Sequence, residues 1–508
     1  MGCVQSIEKV EQAVKLISKT NLDKIGIIIV VALLAYVILN IVQNALFGPL
    51  RDVPGPFLTK FINIPYFILD LPLGTYYQKL KSFHETYGDL VRLGPRTISI
   101  ADKTMIRQIL VHEDLPKSSV YEMLQKNRGM SLFSTTDSNW HRQRRRIISP
   151  AFSIKYLKSL ETFMTSAAVL LVNKIDHDIT KNQDSDGFGI IDIWSLLQCL
   201  AIDVIGEAAF GESFKMIQDP THFVPPAIKE EIQSGAINAM YPLLGKLILK
   251  NSGGTDPKLT NFMSTIIHNR LNSKEKKRED ILQILIDAHK DYNECLTVEA
   301  IISETVLFLI AGSETTSNTL GFAIFELLNK PETLKSLYRE IDNIPLEKNQ
   351  TVFNYEQVKN LPYLNSVINE TMRIDSMAAG GLERTTKKTV VLGNRLALPE
   401  GVEIICNVYH VQTDEKHWPD PFKFKPERWI SYENEENSLD AFFPFSAGSR
   451  NCVGKNFALQ EMKISLATLL KYFEIESIEQ EMKDALNRRV FITLGMEKNS
   501  FKIKMKRK

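Results

Sequence analysis

One cysteine of this 508-residue chain stands where its sulfur could bind a metal. The segment Phe445-Ser-Ala-Gly448-Ser-Arg450-Asn-Cys452-Val-Gly454 runs directly into a helical pattern from about Lys455 to Phe473. A thiolate there meets unpaired backbone N–H groups and the positive end of a helix dipole. Gly448 permits a turn that a side chain would block, and Gly454 lets a flat partner approach the chain closely. Arg450 can neutralise an acidic group on that partner, and Phe445 can cover the sulfur against water. The combination suits a single thiolate ligand to haem iron, whose electron donation favours O–O cleavage. An isolated cysteine is otherwise usually an inert core residue. The flanking residues, not the cysteine itself, carry the reading.

Two further segments could act beside such a centre. A helix is expected from Thr297 to Asn329, with Thr297 as N-cap and Pro331 beyond its end. Its middle reads Ala311-Gly312-Ser313-Glu314-Thr315-Thr316, polar residues between apolar stretches. Gly312 leaves room beside the helix, and Glu314 and Thr315 supply an acid and a hydroxyl that can relay protons. A polar surface patch is the other reading of such a hexapeptide. Earlier, Trp140-His-Arg-Gln-Arg144-Arg145-Arg146 places an indole N–H and a guanidinium at i and i+4. One helical face could then bind a carboxylate with both. It also fits a solvated basic face. Glu370 and Arg373 pair at i, i+3, which alone is common and weak.

Taken together, these segments resemble the cytochrome P-450 family. The cysteine loop matches the family's Phe-x-x-Gly-x-Arg-x-Cys-x-Gly in full, and the helix centre resembles its Ala/Gly-Gly-x-Asp/Glu-Thr-Thr/Ser. Glu370-Thr-Met-Arg373 and Pro426-Glu427-Arg428-Trp429 resemble its Glu-x-x-Arg and Pro-Glu-Arg-Phe/Trp elements. The resemblance implies haem b with Cys452 as its axial iron ligand, in a loop shaped by Phe445, Gly448 and Gly454. It implies propionate contacts from Trp140, Arg144, Arg384 and Arg450, and a proton relay through Thr315 and Glu314. Glu370, Arg373 and Arg428 would form a structural charge cluster behind the haem. The pocket walls would include Leu132, Phe133, Ile310, Ala311, Ala379, Gly380, Val490 and Phe491. Electrons would come from NADPH through a separate flavoprotein reductase, with cytochrome b5 as a further donor, since no dinucleotide-binding glycine motif is evident.

Two places depart from the family pattern. After Arg373 the usual Pro-containing turn is replaced by Ile374-Asp-Ser-Met-Ala-Ala-Gly-Gly381, whose small residues are expected to leave a roomier pocket with a more mobile wall. Gln412 stands where many members carry a His, which puts propionate contacts on that side in doubt.

Composition sets the outer limits. A net charge of +1 gives no reason to expect nucleic acid as a partner. The cysteines Cys3, Cys199, Cys295, Cys406 and Cys452 are scattered, without a Cys-x-x-Cys pair, so neither structural zinc nor a disulfide framework is expected. From Ile25 to Ala45 the chain is apolar for long enough to cross a bilayer, and Val53-Pro54-Gly55-Pro56 then forms a stiff hinge. Ahead of the span, Ile7, Val10, Val14 and Ile17 fall at helical spacing with lysines elsewhere, as in an interfacial helix. Met1-Gly2-Cys3-Val4-Gln5-Ser6 fits an N-myristoylation signal beside a palmitoylatable cysteine. A lipidated, cytosolic Gly2 followed by a true span would send the rest of the chain to the lumen. The resemblance instead implies a cytosolic catalytic domain, single-pass, on the endoplasmic reticulum. Both orientations stay open at this point.

The expected fold is mainly α with small β-sheets, with β-like segments near Leu90–Ile100 and Thr389–Ile405. Breaks fall at Asn251–Lys258, Asn343–Thr351 and Ser431–Asp440. The expected layout is an extension at 1–24, an anchor at 25–45, a hinge at 46–56 and one helix-rich domain at 57–508. The function expected is a haem-thiolate monooxygenase that inserts one atom of O2 into a lipophilic small molecule. Two rivals are an enzyme that rearranges or dehydrates peroxides, and a haem sensor or carrier without turnover. The acid and hydroxyl in the long helix argue against both, since neither needs a proton relay to bound oxygen.

Overall fold

The computed structural model describes residues 24, 27–63, 72–124, 130–241, 257–272, 280–291, 297–348, 350–430 and 439–508. The Gly2/Cys3 motif, the amphipathic pattern of Ile7–Ile17, Ile25, Cys295 and most of the breaks at 251–258 and 431–440 lie outside the described residues.

The apolar N-terminal run is an α-helix, α1 (Ile27–Phe47), whose 21 residues are exposed along almost all of its length. At 1.5 Å per residue it is about 30 Å long, the thickness of a bilayer core. Its end is tied to the globular part by Arg92, which is 1 % exposed. That guanidinium donates to the carbonyl of Ala45 at 3.3 Å, one of the groups that a helix end leaves without an intrahelical partner, and to that of Leu50, in the turn just beyond, at 3.0 Å. The hinge lies flat against the same residue. A Cβ on Gly55 would fall 2.4 Å from the Arg92 carbonyl oxygen, so only glycine lets the chain pass there.

Beyond the hinge, the segment expected to be β-like forms β1 (Leu90–Arg92) and β2 (Thr97–Ile100). Helices α2 (Ser138–Ile148), α3 (Ile154–Asn182), α4 (Ile193–Phe210), α5 (Val224–Met240), α6 (Val298–Asn329) and α7 (Pro362–Ile374) follow. Next come β3 (Leu382–Thr385), β4 (Glu403–Cys406) and α8 (Lys455–Tyr472). A hairpin of β5 (Arg488–Val490) and β6 (Leu494–Met496) lies near the C-terminus. In the four-stranded sheet the order is β1-β2-β4-β3, with β2 and β4 parallel and the other pairs antiparallel.

The long helix α6 begins where its cap predicts: the Thr297 side chain accepts from the Ala300 N–H. It passes through the larger hydrophobic cluster, shared with α3, α4 and α8. α4 is apolar on nearly every face and buried on nearly every face, which is what such a pattern requires of a water-soluble core helix. Gly321 sets how close α4 and α6 can come, since a Cβ there would lie 2.4 Å from the Trp194 ring. The second cluster packs beneath the sheet around Ile98, Ile100, Ile404 and Trp418.

The charge cluster assigned a structural role sits between these cores. Glu370 and Arg373 are both fully buried and make paired hydrogen bonds of 2.9 and 2.8 Å. The same carboxylate accepts from Arg428 Nε at 2.9 Å, Trp429 Nε1 at 2.9 Å and the Lys425 N–H at 3.0 Å. Arg373 also donates to the Gln412 carbonyl at 2.8 Å. Gln412 proves to be a brace. Its amide donates to the Met372 and Arg373 carbonyls, and its oxygen accepts from the Phe443 N–H. It is completely buried and does not border the central cavity.

Candidate functional site

The cysteine loop closes on itself before α8 begins. The Cys452 N–H donates to the Phe445 carbonyl at 2.9 Å, and the Asn451 N–H to the Gly448 carbonyl at 3.2 Å. Gly448 has φ +72°, and a Cβ on it would lie 1.8 Å from the Leu110 carbonyl oxygen. Both its conformation and its close approach therefore exclude a side chain. At Gly454 the nearest atoms to an added Cβ are a Phe152 ring carbon at 3.8 Å and the Cys452 Sγ at 4.0 Å, so the chain stands open there.

Cys452 faces a cavity of ≈ 380 Å³. Its side chain is exposed, but it opens onto this interior space. Burial pushes its thiol up, opposed by the Gly454 N–H, Arg145 and Lys455. The helix-terminal groups thus favour a thiolate as expected, yet desolvation outweighs them, and a bound cation would be needed to hold the sulfur deprotonated.

The same cavity is bordered by Lys117, His141, Arg145, Arg384 and Arg450, and by one acid, Glu383, among the described residues. Burial pushes Lys117 well below the ordinary lysine range, and Arg384 and Arg450 push the same way. His141 falls to about 4 through burial and then the charges of Arg450, Lys117 and Arg145. Arg450 donates to Asp114 Oδ1 and Ser138 Oγ, both at 2.8 Å, while its buried Nε has no partner. Lys117 donates to the Phe133 carbonyl, and Arg384 to that of Glu383 at 2.8 Å. Three arginines, with a lysine and a histidine whose protonation is suppressed by burial and by those same arginines, line one interior space, and an anionic occupant would restore the charge of the two suppressed groups. Together with an open sulfur and an uncrowded glycine, these side chains fit a haem carrying two carboxylates.

One sequence expectation fails here by a single residue. Trp140 and Arg144 do not border the cavity. Arg144 is 3.3 Å from Glu304 of α6, and its guanidinium lies over the Trp140 ring at 4.5 Å. Their neighbours His141 and Arg145 border the cavity instead. Arg145 also grips the cysteine loop, donating to the Asn451 carbonyl and Oδ1, both at 2.7 Å. One position along an α-helix is a rotation of about 100°, so a motif placed one residue early points its side chains elsewhere. His141-x-x-x-Arg145 has the same i, i+4 spacing, and the adjacent basic residues concealed the choice.

On α6, Ala311, Gly312, Thr315 and Thr316 all border the cavity. The Thr315 hydroxyl donates to the Ala311 carbonyl at 2.8 Å. Glu314 does not join them. It accepts from Asn318 Nδ2 at 3.1 Å and borders a neighbouring cavity of ≈ 360 Å³ with Lys229 and Arg489. Phe491 and Thr493 border both spaces. Burial pushes the Glu314 carboxyl up, against Asn318 and Lys229.

Of the expected pocket walls, Leu132, Phe133, Ala311, Gly380 and Phe491 border the cavity, whereas Ile310, Ala379 and Val490 do not. Ala379 and Val490 are each 1 % exposed and turned into the core, and Ile310 packs against the hydrophobic cluster. Val490 is the last residue of β5 and faces the core, while Phe491, the first residue of the hairpin tip, takes the cavity side. The small residues after Arg373 do not enlarge the pocket at Gly380, because Tyr76 fills that space. A Cβ on Gly380 would lie 2.0 Å from the Tyr76 hydroxyl, which donates to the Gly380 carbonyl at 3.2 Å. Lys117, Tyr76, Tyr121 and Thr493 are bordering residues that no motif marks. The bridge between Lys117 and Arg384, a long-range contact, and the hydrogen bond to the Phe133 carbonyl bring Lys117 to the site.

Comparison with known proteins shows the family. The family model for Cytochrome P450 matches residues 54–505, and the chain belongs to that family. Cytochrome P450 monooxygenase LUC2 of Fusarium sp is 31% identical, over 100% of this chain and 98% of its own length. Cytochrome P450 monooxygenase FUS8 of Gibberella moniliformis is 32% identical, over 99% and 96%. Benzoate 4-monooxygenase bphA of Aspergillus niger is 30% identical, over 85% and 89%. The chain is a P450 monooxygenase, an oxidoreductase of the haem-thiolate type. This sets aside the peroxide-rearranging and sensor alternatives.

Proposed function

We propose that this chain oxygenates a lipophilic small molecule in the ≈ 380 Å³ cavity above Cys452, as a membrane-anchored enzyme fed by a separate NADPH-dependent flavoprotein reductase, with cytochrome b5 as a second donor. The observation that carries the assignment is the meeting of three features on one cavity: the Cys452 sulfur, the Thr315 hydroxyl and a cluster of buried basic side chains. Haem b bound there supplies the electron-transfer and oxygen-activating chemistry.

The chain's own residues hold, orient and protonate. Cys452 Sγ would hold the haem iron, and the backbone hydrogen bond from Cys452 to Phe445 closes the loop that carries it. Arg384, Arg450, His141, Arg145 and Lys117 would receive the propionates. Phe445 shields the sulfur from water. The Thr315 hydroxyl holds a water in the α6 groove and hands a proton from Oγ1 to the reacting side. Glu314 Oε1, on the far side of Phe491 and Thr493, passes protons in from the neighbouring cavity. Glu370, Arg373 and Arg428 lock the fold and take no part in chemistry.

The catalytic unit is residues 57–508, with 46–56 as a hinge and α1 as a single span. It faces the cytosol on the endoplasmic reticulum, where the reductase can reach it. Largely apolar walls suit a lipophilic substrate, and benzoate, the compound named for one relative, belongs in a first screen. Product formation that requires O2, NADPH and reductase together is the expected result. Turnover on a peroxide alone, with no gain from reductase, would refute the proposal.

A further inference from the structure

Asp375 occupies the start of the stretch where the family's Pro-containing turn is missing, and it is fully buried. It pairs with Arg488 Nη1. Arg488 Nη2 lies 3.3 Å from Glu326 Oε1, and the guanidinium sits over the rings of Phe322 and Phe325 at 4.9 and 5.3 Å. Glu326 is itself 6 % exposed. One arginine therefore joins three elements: β5, the helix α6 and the segment that follows α7.

Each of these elements carries part of the cavity wall. α6 carries Thr315, the segment after α7 carries Met377, Gly380 and Gly381, and β5 leads into the hairpin tip Phe491-Ile492-Thr493. Arg489 pairs with Glu497 across the hairpin itself at 2.9 Å, whereas the hydrogen bonds that tie the hairpin to the other parts of the wall are neutral. The Val490 N–H donates to the Gly74 carbonyl at 2.8 Å, and the Leu494 N–H to the Met377 carbonyl at 3.3 Å. Asn318 Nδ2 donates to the Leu494 carbonyl at 3.0 Å. A buried, charge-assisted contact is stronger and more directional than these. Losing one partner of such a group strands the others without solvent.

We infer that Arg488, held between Asp375 and Glu326, is a positioning residue that seats the tip Phe491–Thr493 over the cavity and so sets which long ligands fit. This rests on the cavity being the chamber for haem and substrate. Arg488 does not itself border the chamber, and of the three elements it joins, the hairpin carries it nearest, three residues from Phe491 at the tip. Its loss should therefore move affinity for ligands that extend to the tip and leave affinity for small iron-binding ligands alone.

The test is spectral titration of the full-length holoprotein with three iron-binding probes: imidazole, phenylimidazole and dodecylimidazole. Arg488→Ala and Asp375→Asn should keep the thiolate-type carbon monoxide spectrum and the imidazole affinity. They should weaken dodecylimidazole by roughly tenfold, the scale of one lost favourable contact. Arg488→Lys should recover part of that loss, because it restores the charge without the paired geometry. Parallel weakening of all three probes, or no change in any, would overturn the inference. If Arg488→Ala yields no haem protein, the near-isosteric Asp375→Asn decides by the same split. A wild-type protein without the thiolate spectrum would instead overturn the chamber reading, and this inference with it.

Discussion

Replacing Arg144 by Met tests the helix register on which the anion site depends. Arg144 and Glu304 lie 3.3 Å apart with side chains 3 % and 0 % exposed. Burial pushes Glu304 up to about 7, against the pull of Arg144, the Leu132 N–H and Lys117. A carboxyl whose folded value lies above its unfolded one stabilises the protein fully only below the unfolded value. That contribution is lost as pH rises through the folded value. Arg144→Met removes the largest of the attractions, so the folded value climbs further. In acid, Glu304 is neutral in both proteins, and they differ by packing alone. Above about pH 7 the wild type ionises Glu304 beside its arginine, while the variant must keep it protonated at about 1.4 kcal/mol per pH unit. Denaturant unfolding of both proteins from about pH 6 to about pH 8 should show a destabilisation that grows by roughly 1–2 kcal/mol. Taking the difference cancels groups that titrate alike in both. A difference that stays flat across this range would refute the pairing. So would an Arg144→Met protein that is stable but sheds haem, which is the outcome expected of Arg145→Met.

Cys452→Ser should abolish the thiolate-type carbon monoxide spectrum and oxygenase turnover, and a variant that kept the spectrum would remove Cys452 as ligand. Thr315→Ala should keep haem and ligand binding but form less product and more hydrogen peroxide per NADPH. Positioned proton donors contribute about 10²- to 10⁴-fold, with water partly replacing a lost hydroxyl; unchanged coupling would reassign Thr315 to packing. Glu370→Gln should cost about 3–5 kcal/mol, the scale for breaking a buried charge pair, and yield little folded haem protein. A melting temperature close to wild type would contradict the lock assigned to it. Deleting residues 1–48 should shift the protein towards the soluble fraction with haem binding retained, and undiminished membrane association would place the anchor elsewhere.

What could be read from sequence followed from how local each constraint is. The cysteine loop, the capped long helix and the apolar span are set by residues within one or two turns of each other. The structure shows the loop closure, the cap and the exposed helix accordingly. The sequence could not say which of three consecutive arginines, Arg144 to Arg146, face inward, because Arg144 is drawn away by Glu304, 160 positions later. Nor could it show that Gln412 braces Arg373, or that Tyr76 occupies the space left at Gly380. In each case a partner distant in sequence decides the outcome.

The placement of charge around the cavity then orders its chemistry. Lys117, His141, Arg145, Arg384 and Arg450 gather on one cavity, and its other walls are largely apolar side chains such as Leu132, Phe308 and Phe491. A flat group with carboxylates on one edge can satisfy the cations only by turning that edge towards them. On the proposed function, the basic cluster would set the rotation of such a group and Cys452 its centre. Glu314 is kept off the same cavity and meets Lys229 in the next one. Burial outweighs the neighbouring charges at the acid that does border the cavity: Glu383 is pushed up to about 7, with Ser118 and Arg384 pulling against it. Glu314 is likewise raised by burial, against Asn318 and Lys229, so its proposed role as proton source rests on its place in the neighbouring cavity and not on its distance from the basic cluster. On the proposed function the two spaces divide the work: one would receive an anionic cofactor, and protons would enter from its neighbour past Phe491 and Thr493.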